Sequence, residues 1–493
     1  MVTALSNRPS NLLVIMSDEH QARISGCYGH PVIRTPNIDA LAARGTRFKT
    51  AYTNSPVCIP ARANFATGRY LHQMGFWDNA DPYDGTVETW HHVLRAAGHR
   101  VDSIGKLHFR GLPGEDYGFS QEHVPMHVIE GKGDLMGLVR DELPVRKGAW
   151  KMAGMAGPGE GPYTLYDRDI TARAQVWLRE EAPKQKEKPW ALFVSLVAPH
   201  FPLTAPPEHF YRYFDDPALP LPKLYRKDGR ARHPYIEEYA YGFPYDDHFE
   251  GEDGVRRAIA GYFGLCAFLD ENIGKILNAL DASGAAQDTT VVYTSDHGDN
   301  LGARGVWGKS TMYEESAAIP CVIAGPHVPR GKVSSTPVSL IDVFPTALDA
   351  VGLGQAVAAR KLPGRSLIAV ANQADAPDRI AFSEYHGMGS TSGVFMVRVG
   401  RFKYVHYTKY PPQLFDLAAD PDELDDIAGN PAHAADLRRC RDALAAICDP
   451  AKVDGRVRAR QAELLAANGG REAVIARGDL GFTPPPGVTA AFN

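Results

Sequence analysis

The stretch SPVCIPARANFATGRY, residues 55–70, sets one cysteine, Cys58, two residues before Pro60 and four before Arg62. A helix-like run follows and closes on Thr67-Gly68-Arg69. A free cysteine is ordinarily an inert core thiol, so a lone thiol at the mouth of a helix in a Cys-x-Pro-x-Arg frame asks for a chemical reason. Two acidic clusters, SDEH at residues 17–20 and SDHGD at 295–299, each follow an apolar, strand-like run. On neighbouring parallel strands they would converge. Their carboxylates then suit a divalent cation, with His297 leaving calcium and manganese both open, although acidic groups after strands are also what solvated turns carry. In GKLHF, Lys106 and His108 lie two apart and would share one face of a strand. That is an uncomfortable pairing unless an anion sits between them. APHFPL supplies His200, GVWGKST supplies Lys309 and WDNADP supplies Asn79. Taken singly, these read as a satisfied histidine, a surface lysine and a turn residue.

These groups matter only if the fold gathers them. NLLVIMSD, VDSIGKLHF, PWALFVSLVAPHFP and TTVVYTSDHGD read as strands that end in charge or polarity. Three segments read as helices: TPNIDALAARGTRF, with Thr35 as cap and Pro36 in the first turn; TWHHVLRAAGHR, closed by Gly98; and the long RRAIAGYFGLCAFLDENIGKILNALDASG, closed by Gly284. Such alternation predicts an α/β fold with a large, mostly parallel sheet sandwiched by helices, and the polar strand ends mark the edge where such sheets bind ligands. Beyond residue 365 the texture changes. DRIAFSEY, GVFMVRVG and RFKYVHYTK are short strand-like runs, and helix-like AHAADLRRCRDALAAI follows. The expected organisation is a catalytic α/β domain over residues 1–365, a smaller C-terminal antiparallel-sheet-and-helix domain over 366–450, and a tail over 451–493. Two Gly-, Pro- and Tyr-rich stretches, near 112–165 and 204–255, read as long loops, where specificity often resides.

The chain has 493 residues, 44% of them hydrophobic, enough for a large core and too many for one compact domain. Its net charge of −5 is dispersed, which argues against nucleic-acid binding. No apolar run reaches the length of a membrane span, and MVTALSNRPSNLLVIMSDEH lacks the pattern of a secretory leader, so the expected location is the cytoplasm. None of the six cysteines forms a Cys-x-x-Cys pair, and a disulfide framework is not expected.

Taken together, the Cys58-Ile59-Pro60-Ala61-Arg62 frame with its Thr67-Gly68-Arg69, the acidic pair after the first strand, GKLH, PHFP and DHGDNLGARGVWGKS resemble the type I sulfatases of the alkaline-phosphatase-like superfamily, in order and in approximate spacing. The resemblance covers nearly the whole chain. It implies that a formylglycine-generating enzyme oxidises Cys58 to formylglycine, with Pro60 and Arg62 in the recognised frame. The hydrated aldehyde would then attack the sulfur of a small-molecule sulfate ester, release the alcohol, and expel sulfate as the aldehyde returns. By the same resemblance Asp18, modified Cys58, Asp296 and His297 hold one divalent cation, calcium ahead of manganese or magnesium, with Glu19 as a further ligand although many relatives have Asp there. Arg62, Lys106 and Lys309 orient nucleophile and sulfate, His108 is the base for sulfate release, His200 with Lys309 protonates the leaving oxygen, and Asn79 touches a sulfuryl oxygen.

AYTNSPVCIPARANF, WDNA and GKLHF resemble the choline-sulfatase branch most. Phosphonate monoester hydrolases share the histidine after the second metal aspartate but carry hydroxyl side chains in place of Lys106 and His108. Phosphonate or phosphodiester hydrolysis is therefore the alternative reading, and an inactive metal-binding homologue a further one. A cholinyl group would need an aromatic cage, for which Trp77, Tyr83, Trp90, Tyr385 and Phe492 are candidates, with SEYHGMGS near the alcohol side. The relatives imply a homodimer or homotetramer. The tail, ending in GFTPPPGVTAAFN, is expected to pack across a subunit interface, with folding back on its own chain as the alternative.

Overall fold

The computed structural model of the chain describes residues 8–228 and 230–492. Residues 1–7, part of the segment read as lacking a leader, lie outside these. The dominant element is an eight-stranded sheet in the spatial order Lys332–Ser334, Thr46–Phe48, Cys321–Ala324, Thr289–Ser295, Asn11–Asp18, Ala191–Pro199, Val101–Lys106, Gln121–Met126. All its pairings are parallel except those of Cys321–Ala324, which runs antiparallel to both neighbours. Leu12 to Met16 are fully buried without alternation, as expected of a strand covered on both faces. Leu13 and Ile15 pack with Ile170 and Ala174 of the Pro162–Glu180 helix and with Phe268 and Ile273 of the Gly251–Ala282 helix. Leu12, Val14 and Met16 face the opposite layer, where Phe65 of the Cys58–Thr67 helix meets Trp90, Phe344 and Leu348.

Register decides where the chemistry falls. Ser17 lies opposite Ser295, and Met16 opposite both Thr294 and Ser195, so Asp18 and Asp296 leave the sheet side by side. Gly105 pairs with Ser195 one strand further on. The shared strand face expected for Lys106 and His108 does not form. The strand ends at Lys106, and His108 has a φ of +55°. Instead, the N–H groups of Leu107 and His108 both donate to the Met126 carbonyl, at 3.1 and 2.8 Å, and this turn carries His108 into the cleft. The turn begins at Gly105, whose φ is +104° and where a Cβ would stand 2.2 Å from the Ser195 carbonyl oxygen. Gly105→Ala is therefore expected to cost about 2–4 kcal/mol by strain and steric conflict. Denaturant unfolding reads this directly, and an unchanged midpoint would contradict it.

The C-terminal sheet is antiparallel in the order Ala381–Tyr385, Val394–Val399, Phe402–Tyr407, Gln413–Asp416; the last strand is not apparent in the sequence. The Ala434–Ile447 helix covers it through Cys440 and Leu444. A buried ion cluster ties the C-terminal sheet to the Glu314–Ala317 helix. Lys403 Nζ lies 2.9 Å from Glu314 and 2.7 Å from Glu423. Although burial opposes ionisation, Lys403 and Arg398 hold the Glu314 carboxyl down at about 2.

The stretches read as loops hold the edge strand Gln121–Met126 and three helices, Lys151–Gly154, Pro207–Phe214 and Pro234–Gly242. After helices at Pro450–Ala467 and Gly470–Arg477 the tail returns to its own chain. Asp479 accepts from the Gly148 N–H at 3.0 Å, and the Thr483 carbonyl accepts from the Tyr163 hydroxyl at 2.6 Å. Residues 479–483 thus adopt the fold-back arrangement, because buried donors and aromatic rings await them there. Among the described residues no helix is long and apolar enough to cross a membrane.

Candidate active site

A cleft opens over the C-terminal edge of the large sheet, with Cys58, Asn79, His108, His200 and Lys309 in its lining. Cys58 is the first residue of its helix and is 2% exposed. Its Sγ lies 3.7 Å from Asp18 Oδ1, 3.2 Å from His297 Nε2 and 3.1 Å from Lys309 Nζ. Burial, with Asp18 beside it, pushes the thiol upward, so the unmodified residue is a poor thiolate.

One turn on, Arg62 ties the site together. Its Nε donates to Asp296 at 2.9 Å, Nη2 to Asp18 at 3.1 Å, and Nη1 to the Lys106 carbonyl and to Ser195 Oγ, both at 2.8 Å. Arg62 is thus engaged with the carboxylates and the sheet edge. Lys106 Nζ makes a second ion pair with Asp18. Burial opposes ionisation of Asp18, but Lys106, His200, Arg62 and Lys309 outweigh it and hold that carboxyl well below the usual range. Ser195 is a participant that carries no sequence signal; it sits inside an apolar strand.

Asp18, Cys58, Asp296 and His297 bring four donor atoms within 4.8 Å of one another. The His297 Nδ1 lies 2.9 Å from the Gly298 carbonyl, which can only accept, so the proton is on Nδ1 and the Nε2 lone pair faces the carboxylates. Two carboxylates, a sulfur and an imidazole lone pair pointing at one spot fit a hard or borderline divalent cation. Asp299 turns away and accepts from the N–H groups of Leu301 and Gly308 at 2.6 and 2.9 Å, which fixes the loop bearing Lys309.

On the other side of Cys58, Lys309 Nζ lies 2.8 Å from His200 Nε2 and 3.2 Å from Glu19 Oε2. Burial, then Lys309, keep His200 well below its ordinary value. His108 is held down in the same way by burial and then by Lys106 and Arg62, and neither of its buried ring nitrogens has a partner among the described residues. A buried imidazole with two unpartnered nitrogens, near Lys106 and Arg62, suits an anionic ligand. Asn79 Oδ1 accepts from the Ile59 N–H at 3.3 Å, which places its amide beside the nucleophile.

All the residues singled out from the motifs therefore meet at this edge. The aromatic candidates do not. Trp77, Tyr83, Trp90 and Tyr385 are at most 3% exposed and fill cores, and Phe492 lies on the surface against Arg477. The cleft wall comes instead from Tyr163, Phe201, Tyr239, Phe243, Tyr245 and Phe482. At its rim Arg146 is clamped by Asp134 at 2.8 and 2.9 Å and lies 3.5 Å from Asp479. Of the GMGS run, Met388 reaches the cleft.

The sulfatase family profile matches residues 10–353, and that of the C-terminal part of N-sulphoglucosamine sulphohydrolase matches residues 302–448. Choline-sulfatase of Rhizobium meliloti (strain 1021) is 32% identical over 465 residues, spanning 92% of this chain and 89% of that protein. Arylsulfatase K of Danio rerio is 32% identical over 444 residues, spanning 86% and 80%. Among solved structures, phosphonate monoester hydrolase from Silicibacter pomeroyi superposes with a TM-score of 0.68 at 27% identity, covering 88% of this chain and 94% of that one.

Proposed function

Since the chain belongs to the sulfatase family, we propose that it hydrolyses a sulfate monoester to an alcohol and inorganic sulfate, with Cys58, matured to formylglycine, as nucleophile. The observation that carries this reading is the ring of groups around Cys58. Lys309 stands 3.1 Å from its sulfur, and His108 offers two unpartnered nitrogens in the same buried space. Three fixed cations (Arg62, Lys106 and Lys309) face three carboxylates (Asp18, Glu19 and Asp296) there. A divalent cation held by Asp18, Asp296, His297 and residue 58, calcium ahead of manganese or magnesium, would turn the balance positive and suit an anionic sulfuryl group and its transition state.

In its hydrated formylglycine form, residue 58 would supply a hydroxyl oxygen for attack at sulfur. Lys106 and Lys309 bind and orient the sulfuryl oxygens, with the Asn79 amide beside them. As the ester S–O bond breaks, the leaving oxygen takes a proton from the Lys309–His200 pair. His108, kept neutral, accepts the proton whose loss expels sulfate. At 2% exposure Cys58 is out of reach of another enzyme, so a formylglycine-generating partner acts before the chain closes. Beyond Pro485 the tail is exposed, with Val488 at 45% and Phe492 at 40%. This supports contact with a second copy in a homodimer or homotetramer, which light scattering of the full chain against one truncated at Pro485 tests.

A panel of 4-nitrophenyl, choline, alkyl and sugar sulfates compared by kcat/KM tests the activity and ranks the alcohols. Likeness to a phosphonate monoester hydrolase makes that chemistry the second reading. Lys106 and His108, where those enzymes carry hydroxyls, weigh against it. The wild type is expected to favour the sulfate monoester, and His108→Ala to lose about 10²–10⁴-fold on it with a smaller loss on a phosphonate monoester. A wild type that prefers the phosphonate by orders of magnitude would reverse the assignment.

A further inference from the structure

We infer that Glu19 is not a ligand of the cation but a positioning residue that holds the Lys309 ammonium against His200 on the leaving-group side of sulfur. This inference rests on the sulfatase reading above.

The geometry separates Glu19 from its neighbour in sequence. Asp18 faces Cys58, Asp296 and His297, whereas the Glu19 carboxylate groups with Asp18 and His200. The backbone makes the division. Glu19 has a φ of +70°, its N–H donates to Asp296 Oδ1 at 3.1 Å, and its carbonyl accepts from the Tyr262 hydroxyl at 2.6 Å. The main chain is thus pinned at both ends of the residue, and the side chain runs to Lys309.

That second group is a poor place for a metal ion. Lys309 Nζ already takes two of that group's three ligand atoms, at 3.2 Å from Glu19 Oε2 and 2.8 Å from His200 Nε2, so a cation there would have to displace the ammonium, whereas of the other four ligands it meets only Cys58. The proton on His200 is also fixed. Nδ1 lies 2.5 Å from the Phe201 carbonyl oxygen, which can only accept, so Nε2 is itself an acceptor. Glu19 Oε2 and His200 Nε2 are 3.3 Å apart. Two acceptors at that distance repel unless a donor serves both, and Lys309 is that donor. Its three N–H groups go to Glu19, His200 and Cys58 Sγ. Without Glu19 the lysine would swing out of line with His200. The longer side chain found here, where many sulfatases have aspartate, is what spans the gap.

Two measurements on the full-length enzyme test this: calcium binding by calorimetry after chelator treatment, and kcat/KM for an alkyl sulfate against 4-nitrophenyl sulfate. Proton delivery matters for the alkoxide leaving group and little for nitrophenolate. Glu19→Ala is expected to keep calcium affinity while kcat/KM falls on both esters, because Lys309 also holds the sulfuryl oxygens, and falls about 10²-fold further on the alkyl sulfate than on 4-nitrophenyl sulfate. Glu19→Gln, whose carbonyl oxygen still accepts from Lys309, restores the alkyl activity. Should the alanine variant fail to fold, Glu19→Asp decides. One methylene shorter, it cannot reach Lys309 and repeats the selective loss, whereas a metal-ligand role would leave alkyl turnover intact. A drop in calcium affinity of about tenfold or more in Glu19→Ala, or equal losses on both esters with calcium retained, would overturn the inference. A wild type inactive on every sulfate would instead remove the sulfatase reading, and calcium binding would still decide whether Glu19 is a ligand.

Discussion

Cys58→Ala gives a folded protein without measurable turnover of 4-nitrophenyl sulfate. Alanine removes the only atom at this position that can bond to sulfur, directly or after oxidation, and among the described residues the cleft lining holds no other cysteine and no serine. A loss of at least about 10⁴-fold is expected when a covalent nucleophile is deleted. The fold should tolerate the change. Alanine is the best helix former, and the lost sulfur contacts cost about 1–2 kcal/mol. The wild-type peptide bearing residue 58 should be lighter than its thiol form by about 18 Da, the difference between CH₂SH and CHO. Substantial activity in the alanine variant, or a wild-type peptide that is wholly thiol in an active preparation, would sink the formylglycine assignment.

How much of this was legible in the sequence follows from what each residue must satisfy. Asp18, Asp296 and His200 stand at the ends of apolar strands, and the proposed chemistry would fix both their type and their place at the sheet edge. Motif order and strand reading therefore converge on one site. The two-residue spacing of Lys106 and His108 is informative as chemistry but misleading as geometry, because the strand ends at Lys106 and His108 takes a positive φ in the turn that follows. The cleft wall is another matter. Tyr163, Tyr239, Phe243 and Tyr245 come from the stretches read as loops and their short helices, and Phe482 from the tail; nothing in local spacing says that such rings will meet. Trp77, Tyr83 and Trp90 look equally available in sequence, yet they sit beside helices and strands that need large apolar volume, and they are spent on the core. The alcohol side of a substrate pocket is thus the part least written in periodicity, since it is assembled by long-range return of the chain.

Removing a carboxylate from the cation-binding group should damage both binding and stability, and the two effects can be told apart. Asp296→Asn keeps size and the bond from Arg62 Nε but gives up a charge 2.9 Å from a guanidinium that is 1% exposed. Calcium affinity and turnover should both fall, turnover by about 10³-fold or more, since a charged oxygen ligand is lost from a four-donor group. Asp18→Ala goes further. It strips Lys106 of its ion pair and Arg62 of one of two carboxylates, and leaving a buried cation uncompensated costs about 3–5 kcal/mol. Because the Asp18 carboxyl is held well below its ordinary value in the folded chain, its contribution is present above the usual carboxylate range and disappears as pH falls toward the depressed value. The wild type should therefore lose stability on acidification more steeply than Asp18→Ala. Chelation followed by calcium or manganese should restore the wild type but neither variant. Full activity after exhaustive chelation, with no metal detected by elemental analysis, would remove the cation from the mechanism and leave Asp18 and Asp296 as anchors for Arg62 and Lys106 alone.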